Sequence, residues 1–259
     1  MLNKILLLAE DDINTQFEVI KDEFFAKQED TLVITDQKEI AGEYIRNGYA
    51  VLVKALGEEF VSGVRYVTDD INGCDDEYFK MVFARSHGLP LTVLHTERTI
   101  VREMTIDDLK DLYQVYEDDL AKKFIEPLYE YEEEKVYTEK YIENMYGFYG
   151  YGLWLVFHKD TGELIGRIGI SIRSIDDKEC NELGYIIKES YRRKGYAYEV
   201  CEAIIRYAKE VLLMDELYVV SNQDNHISER LARKLKFDYM DECSEGENKY
   251  KIFKKVLDF

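Results

Sequence analysis

The chain is poor in sulfur and imidazole and has no long apolar run. It carries four cysteines and four histidines in 259 residues. Cys74, Cys180, Cys201 and Cys243 lie far apart, form no C-x-x-C pair and share no zinc spacing with the histidines. That excludes a metal finger or a disulfide scaffold, and predicts reduced thiols in a cytoplasmic protein with no metal. No apolar stretch approaches membrane-spanning length. The opening MLNKILLLAEDD holds five consecutive apolar residues before its acids, too few for the apolar region of a secretory leader. Basic groups are also scarce: 34 Lys plus Arg stand against 53 Asp plus Glu, a net charge of -19. Such a balance argues against nucleic acid and anionic membrane as partners, and favours a cationic substrate. Gly/Ser-rich linkers, internal repeats and low-complexity segments are absent.

What is present is enough apolar material, 46%, for sizeable cores, with an unusual number of tyrosines, 21. The first part, residues 1–97, alternates strand and helix signals. Apolar runs near residues 5–9, 32–35, 50–55 and 64–67 read as strands. Helices are expected from Asp11 to about Lys27, after Asp36, and from Asp75 to His87. This rhythm predicts a small α/β, Rossmann-like domain with a mostly parallel sheet. Glu10-Asp11-Asp12 after a strand is similar to the acidic pocket of a phosphorelay receiver, but no aspartate ends the third strand. The D-x-D opening of haloacid-dehalogenase phosphatases is also missing.

Residues 91–102 read as an extended connector into the second part, residues 98–259. There Thr105 caps a helix running to about Tyr116, and another helix is expected near residues 137–148. Acidic runs at 117–119 and 130–134 read as solvated helix faces. Strands at 153–158 and 164–175 flank the turn Asp160-Thr161-Gly162, a hairpin signal. A strand at 182–188, a helix with Val200, Cys201, Ile204, Tyr207, Ala208 and Val211 on one face, a strand at 217–221, a helix from Asn225 to Lys236 and a strand at 250–256 complete an α+β order.

The segment ESYRRKGYAYE, residues 189–199, gathers three basic residues in an acidic chain immediately before a glycine and a helix. The first turn of a helix has unpaired N–H groups and a favourable dipole for anions, and Gly195 lets a phosphate approach the backbone. On those residues alone two readings stand: a diphosphate cradle, or a tight strand-to-helix turn with solvated cations.

Arg192-Arg193-Lys194-Gly195-Tyr196-Ala197 resembles the Q/R-x-x-G-x-G/A motif of the GNAT family of N-acetyltransferases. Glu182-Leu183-Gly184-Tyr185-Ile186-Ile187 before it resembles that family too. So does Asn225-His226-Ile227-Ser228 after it, with a helix ending Leu235-Lys236-Phe237. The combination looks most like the branch containing ribosomal-protein acetyltransferases. The resemblance implies a GNAT fold over 98–259 with a mixed, mostly antiparallel sheet. It also implies acetyl-CoA as cosubstrate and an amine acceptor as partner; a homodimer is compatible with it. By resemblance, Ile186, Ile187 and Lys188 line the pantetheine arm, and Arg192, Arg193, Lys194, Gly195, Tyr196 and Ala197 hold the pyrophosphate. Asn225 and Ser228 stand beside the arm or the thioester.

The implied reaction is direct attack of a neutral amine on the acetyl thioester. Glu182 is the candidate base, its alternative being a strand carboxylate facing solvent; His226 is a second candidate. The family's usual tyrosine acid is replaced by Ala232, which leaves Ser228, Tyr185 or water to protonate the thiolate. Lys236 stands where the family has glycine. The acceptor is a primary amine of a small molecule or a protein N-terminus; an α-amine, with a pKa of about 8, suits a weak base better than lysine. The alternative function is a non-catalytic acyl-CoA sensor or scaffold, for which the missing tyrosine speaks.

Overall fold

The computed structural model describes residues 1–55, 63–175, 178–246 and 248–257. It contains two compact units, Met1–Leu91 and Thr92–Phe259.

The first unit runs β1 (Lys4–Leu8), β2 (Glu18–Ile20), β3 (Thr31–Thr35), α1 (Lys38–Arg46), β4 (Ala50–Lys54), β5 (Tyr66–Thr68) and α2 (Asp76–Ser86). Its strands are all parallel, in the order β2-β1-β3-β4-β5. The strands are apolar without alternation because both faces are covered. Ile5, Leu7, Leu32, Ile34 and Leu52 pack with Phe79, Val82 and Phe83 of α2. Leu6, Val33, Val51 and Val53 pack with Ala41 of α1 on the opposite face. Asp75 caps α2 by accepting from the Tyr78 amide, and Gly88 ends it at φ 65°.

The expected helix from Asp11 to Lys27 does not form. The segment holds the edge strand β2 and a short 3-10 turn, Glu23–Phe25. Ile13, Phe17, Ile20 and Phe24 mimic a helical period, yet Phe24 ends up 84% exposed while Ile20 is buried against the sheet. Asp11 is drawn to the sheet instead, where both its carboxylate oxygens lie 2.7 Å from the Lys54 ammonium at the end of β4. Asp36 is not the cap of α1; that position is Gln37, which makes no side-chain cap.

The second unit opens with β6 (Thr92–His95) and β7 (Thr99–Arg102), so the expected connector is an antiparallel hairpin. Then come α3 (Leu109–Tyr116), α4 (Asp119–Phe124) and α5 (Tyr131–Tyr141), the last passing into a π-helical segment, Ile142–Tyr149, that stops at Gly150 with φ 78°. Next follow β8 (Leu153–His158), β9 (Leu164–Ile175), β10 (Lys178–Ile187) and α6 (Tyr196–Glu210). β11 (Glu216–Asn222), α7 (His226–Lys234), β12 (Asp238–Glu245) and β13 (Asn248–Val256) complete the unit. The eight strands order as β12-β13-β11-β10-β9-β8-β7-β6. Every neighbouring pair is antiparallel except β10 and β11.

Thr105 caps the entry to α3 through a capping box with Asp108. The acidic runs are not simple solvated faces: Asp118 caps α4 through the amides of Leu120 and Ala121, and Glu134 is buried and accepts from the Tyr129 amide. Side chains alternate across the sheet, so odd and even positions of one strand face different helices. Trp154, opposite Ile168, packs its ring against Tyr207 of α6. Leu155, opposite Arg167, lies on the other face, where the Arg167 guanidinium stacks over Tyr141 of α5. Val200, Cys201, Ile204 and Ala208 of α6 are buried as the pattern predicts, but Val211 is 59% exposed because α6 has ended.

Candidate active site

β10 and β11 run parallel but register at one position, Glu182↔Tyr218. Beyond Glu182, β10 keeps its antiparallel partner β9 as far as Ile187↔Gly166, while β11 turns to β13. The two strands therefore part, and the parting leaves main-chain groups of β10 without a strand on one side. A cleft of 630 Å³ fills the gap, with Glu182, Gly184, Ser221, Asn222 and Arg173 among its walls. It continues into a narrower, apolar slot of 120 Å³ between Ile186 and Ile187 of β10, Leu120, Ala121 and Phe124 of α4, and Ile227 and Leu231 of α7. Tyr185, Asn225 and Ser228 line both spaces.

The slot leads to the basic loop. Ala197 and Arg192 stand at its end. Gly195 is the residue before α6 and has φ 89°, a left-handed conformation that favours glycine; Arg193 shares that region at φ 59°. No backbone acceptor among the described residues takes the N–H groups of Arg193, Lys194 or Gly195. With the first turn of α6, they form a row of free donors at the positive end of a helix dipole. Donors of that kind fit a diphosphate, and an apolar slot along a free strand edge fits a thin, amide-containing arm.

The loop's side chains are placed unevenly. Arg192 turns inward: its Nη atoms donate to both Asp118 oxygens at 2.7 and 2.6 Å, and its Nε to the Ile187 carbonyl at 2.8 Å. It thus ties α4 to the loop. Burial pushes the Asp118 carboxyl up, but the Arg192 guanidinium and the capping amides outweigh this and hold it below the usual carboxylate range. Tyr196 is buried, with its hydroxyl 3.0 Å from His158 Nε2. Lys188 reaches Glu163 at 2.7 Å and does not line the slot. Arg98, which sequence reasoning did not single out, braces the loop: it donates to the Lys194 carbonyl at 3.0 Å, pairs with Glu199 and stacks over Tyr196. The charges left for a ligand are therefore Arg193 and Lys194, not the whole basic run.

Glu182 is half-buried in the cleft wall, 3.3 Å from Arg173, which also holds Glu245 at 2.7 Å. Burial raises its carboxyl pKa; the Arg173 charge opposes the rise without cancelling it. A proton acceptor titrating above the ordinary carboxylate range suits general-base work. At the junction of cleft and slot, the Tyr185 hydroxyl and Ser228 Oγ are 2.9 Å apart, and the Tyr185 hydroxyl donates to the Ser228 carbonyl at 3.2 Å. Burial pushes the Tyr185 hydroxyl pKa well up, so it remains a proton donor. Asn225 caps α7 by accepting from the Ser228 amide at 3.1 Å, which fixes Ser228 at the junction. His226 is exposed at the start of the same helix and lines neither space.

Residues 98–238 match the family model of the acetyltransferase (GNAT) domain. The chain belongs to the GNAT acetyltransferase family. Among curated relatives, it is 30% identical to the "Uncharacterized protein YkkB" of Bacillus subtilis over 91 residues, 35% of this chain and 53% of that one. The chain thus matches about half the length of that relative. With the "Uncharacterized N-acetyltransferase YoaA" of the same organism it shares 27% identity over 152 residues, 56% of this chain and 82% of the relative. The solved structure of RimL, a ribosomal L7/L12 alpha-N-protein acetyltransferase, in complex with coenzyme A has the same fold. It superposes with a TM-score of 0.52 at 15% identity, covering 64% of this chain and 98% of that one. The GNAT fold expected over the second part, with its mixed and mostly antiparallel sheet, is the fold found, and ribosomal-protein acetyltransferases are among the solved structures that share it.

Two departures from the GNAT pattern are structural. Ala232 is fully buried in the core beneath α7. Lys236 takes the left-handed conformation at φ 63°, which costs a side-chain-bearing residue on the order of 1 kcal/mol. Among the described residues no helix is long and apolar enough to cross a membrane, and no group of three or more His, Cys, Asp or Glu is placed to hold a metal.

Proposed function

We propose that the chain is an N-acetyltransferase that moves the acetyl group of acetyl-CoA to the primary amine of a small molecule or a protein N-terminus. The observation that carries this reading is the parted β10/β11 pair opening into a slot that reaches Arg192 and Ala197, the residues on either side of the N–H groups around Gly195 that no backbone acceptor takes. In this reading the amides of residues 193–197 hold the pyrophosphate, with Arg193 and Lys194 adding charge, while Arg192 anchors the loop through Asp118. Ile186 and Ile187 line the arm. The thioester then lies at the junction beside Asn225, Ser228 and Tyr185.

The acceptor enters through the wider cleft. Its nitrogen attacks the acetyl carbon, the N–C bond forms and the C–S bond breaks. The nitrogen's proton passes to Glu182, directly or through water. The departing thiolate takes a hydrogen bond and then a proton from the Tyr185–Ser228 pair; with a thiol pKa of about 8.5, it needs little help to leave. We assign this work to the second unit, which begins at Thr92 and not at the expected residue 98 because β6 joins its sheet, treat residues 1–91 as a separate α/β domain, and infer a cytoplasmic protein from the composition.

Incubation with acetyl-CoA and a panel of amines, read as release of free thiol, tests the reading; turnover with at least one primary amine is expected. A second reading, a non-catalytic acyl-CoA sensor or scaffold, is favoured by Ala232, which supplies no hydroxyl where the family's tyrosine would stand. It predicts coenzyme binding by calorimetry with no thiol release across the panel.

A further inference from the structure

Four arginines around the site are paired. Arg98 is bound to Glu199, Arg102 to Asp108, Arg173 to Glu182 and Glu245, and Arg192 to Asp118. Arg167 is more buried than any of them, 6% exposed, yet it forms no ion pair among the described residues. Its surroundings are aromatic: the Tyr141 ring lies 5.2 Å from the guanidinium carbon, and the Tyr116 side chain is near enough to act on its charge. Its Nε is buried with no hydrogen-bond partner. An arginine keeps its charge under all ordinary conditions, so burying one without a counter-ion is unfavourable unless something else supplies the anion.

Arg167 lines the same cleft as Glu182. It sits on β9 opposite Ile186, while Glu182 is opposite Ser171 on the same face of the sheet. Four residues of strand, about 13 Å, separate their backbones along the cleft wall, with Gly184 between them. A proton acceptor thus stands at one end, a buried fork of N–H donors at the other, and the side-chain-free Gly184 at the middle.

The geometry points to an acceptor that carries a carboxylate as well as its amine, with Arg167 binding the carboxylate. This rests on the transferase reading above. A planar guanidinium matches a carboxylate in two parallel hydrogen bonds, and the aromatic walls strengthen those bonds by excluding water. The inference narrows the acceptor from any primary amine to amino acids or the like, and it gives the Arg167 charge a counter-ion only when acceptor is bound.

The test uses matched pairs: glycine against glycinamide, and β-alanine against β-alaninamide. With acetyl-CoA and the wild-type protein, the carboxylate member of at least one pair is expected to show kcat/KM at least ten-fold higher. Arg167→Met should bring that ratio to about one while leaving acetyl-CoA affinity by calorimetry unchanged, and Arg167→Lys should keep part of it. A wild-type ratio at or below one in both pairs, or a ratio that survives Arg167→Met, overturns the inference. If no amine turns over, the transferase reading fails separately. The same pairs are then compared by calorimetry on the protein saturated with coenzyme A, where Arg167-dependent binding of the carboxylate member is expected and equal binding overturns it. If Arg167→Met does not fold, propionate is compared with propionamide on the wild type. Competition by propionate alone against the acceptor or the bound β-alanine is expected; equal effects of the two overturn the inference.

Discussion

β3 and β4 in the first unit run parallel and register at four successive positions, from Leu32↔Ala50 to Thr35↔Val53. β10 and β11 in the second unit also run parallel, yet register at one. The closed pair is apolar on both faces and places its side chains in two cores. The parted pair has a carboxylate at its point of contact, a glycine just beyond it, and Ser221 and Asn222 on the facing strand. Closing a ladder satisfies the backbone within the fold; parting one leaves donors and acceptors open to water or to a ligand. A parallel pair that opens can offer its backbone to a ligand, whereas one that stays shut is scaffold, and under the proposed function substitutions in the two should fail in different ways.

The largest separation is expected from Gly195→Glu. The substitution puts a side chain on a residue at φ 89° and a negative charge among the donors proposed to hold a diphosphate. Acetyl-CoA affinity by calorimetry should fall by at least about 100-fold, the order of losing several charge-assisted hydrogen bonds. Ile34→Ala in the closed pair, where Ile34 is fully buried, should instead destabilise the first unit by about 2–5 kcal/mol and leave that affinity unchanged. If Ile34→Ala weakens coenzyme binding as much as Gly195→Glu, the contrast between the two pairs is false.

Glu182→Gln comes next. Loss of a general base lowers kcat/KM by about 100-fold or more. The pH profile gives a sharper reading. Burial raises the Glu182 carboxyl pKa, and the base must be ionised, so kcat/KM should rise with pH through a value above the ordinary carboxylate range. Gln at 182 should remove that limb. An unchanged limb would assign the titration to the acceptor amine instead.

Asp118→Asn tests how the loop is held at the mouth of the slot. Asparagine keeps the cap on α4 but loses the charge facing Arg192. The pair is largely buried, and its loss should cost about 1–2 kcal/mol by denaturant titration, with roughly ten-fold weaker coenzyme binding. Because the folded carboxyl pKa is depressed, the pair's stabilisation is fully present above the unfolded value near 3.9 and is lost as pH falls through the lower folded value. The variant should lack that acid-end loss.

Much of this contrast is readable in the residues. The β-α-β rhythm of the first part, the hairpin at Asp160-Thr161-Gly162 and the glycine before α6 each rest on local chemistry, and local chemistry is visible in a sequence. What escapes is decided at a distance. α4 is hidden because Asp118 and Asp119 look like solvent-facing acids until Arg192, 74 residues on, supplies the partner. β12, DYMDECSE, is a largely exposed edge strand with no alternation to betray it. The apparent helix after Asp11 follows a true period of Ile13, Phe17, Ile20 and Phe24, but the sheet edge beside β1 takes the segment first. Arg167 falls at a polar position in LIGRIGIS and reads as solvent-facing; that its side of β9 is roofed by Tyr116 and Tyr141 depends on how the helices pack.

The smallest effect belongs to Lys236→Gly, at the end of α7 away from the parting of the strands. Lys236 is left-handed, where glycine is free of the side-chain penalty. The fold tolerates lysine there because Lys255 caps the helix from outside: its ammonium reaches the carbonyls of Leu235 and Lys236 at 3.0 and 3.4 Å. A cation on the last carbonyls of a helix is favourable both as a hydrogen bond and against the dipole. Glycine should therefore stabilise the second unit by only about 0.5–1 kcal/mol, since relief of backbone strain is partly offset by the greater freedom of the unfolded chain. Coenzyme affinity and turnover should not move. The double change Lys236→Gly with Lys255→Met should show whether the two devices are alternatives. If Lys255 compensates for the left-handed lysine, removing it should cost less in the glycine background than in the wild type; equal costs would mean that the helix end and the turn are energetically independent.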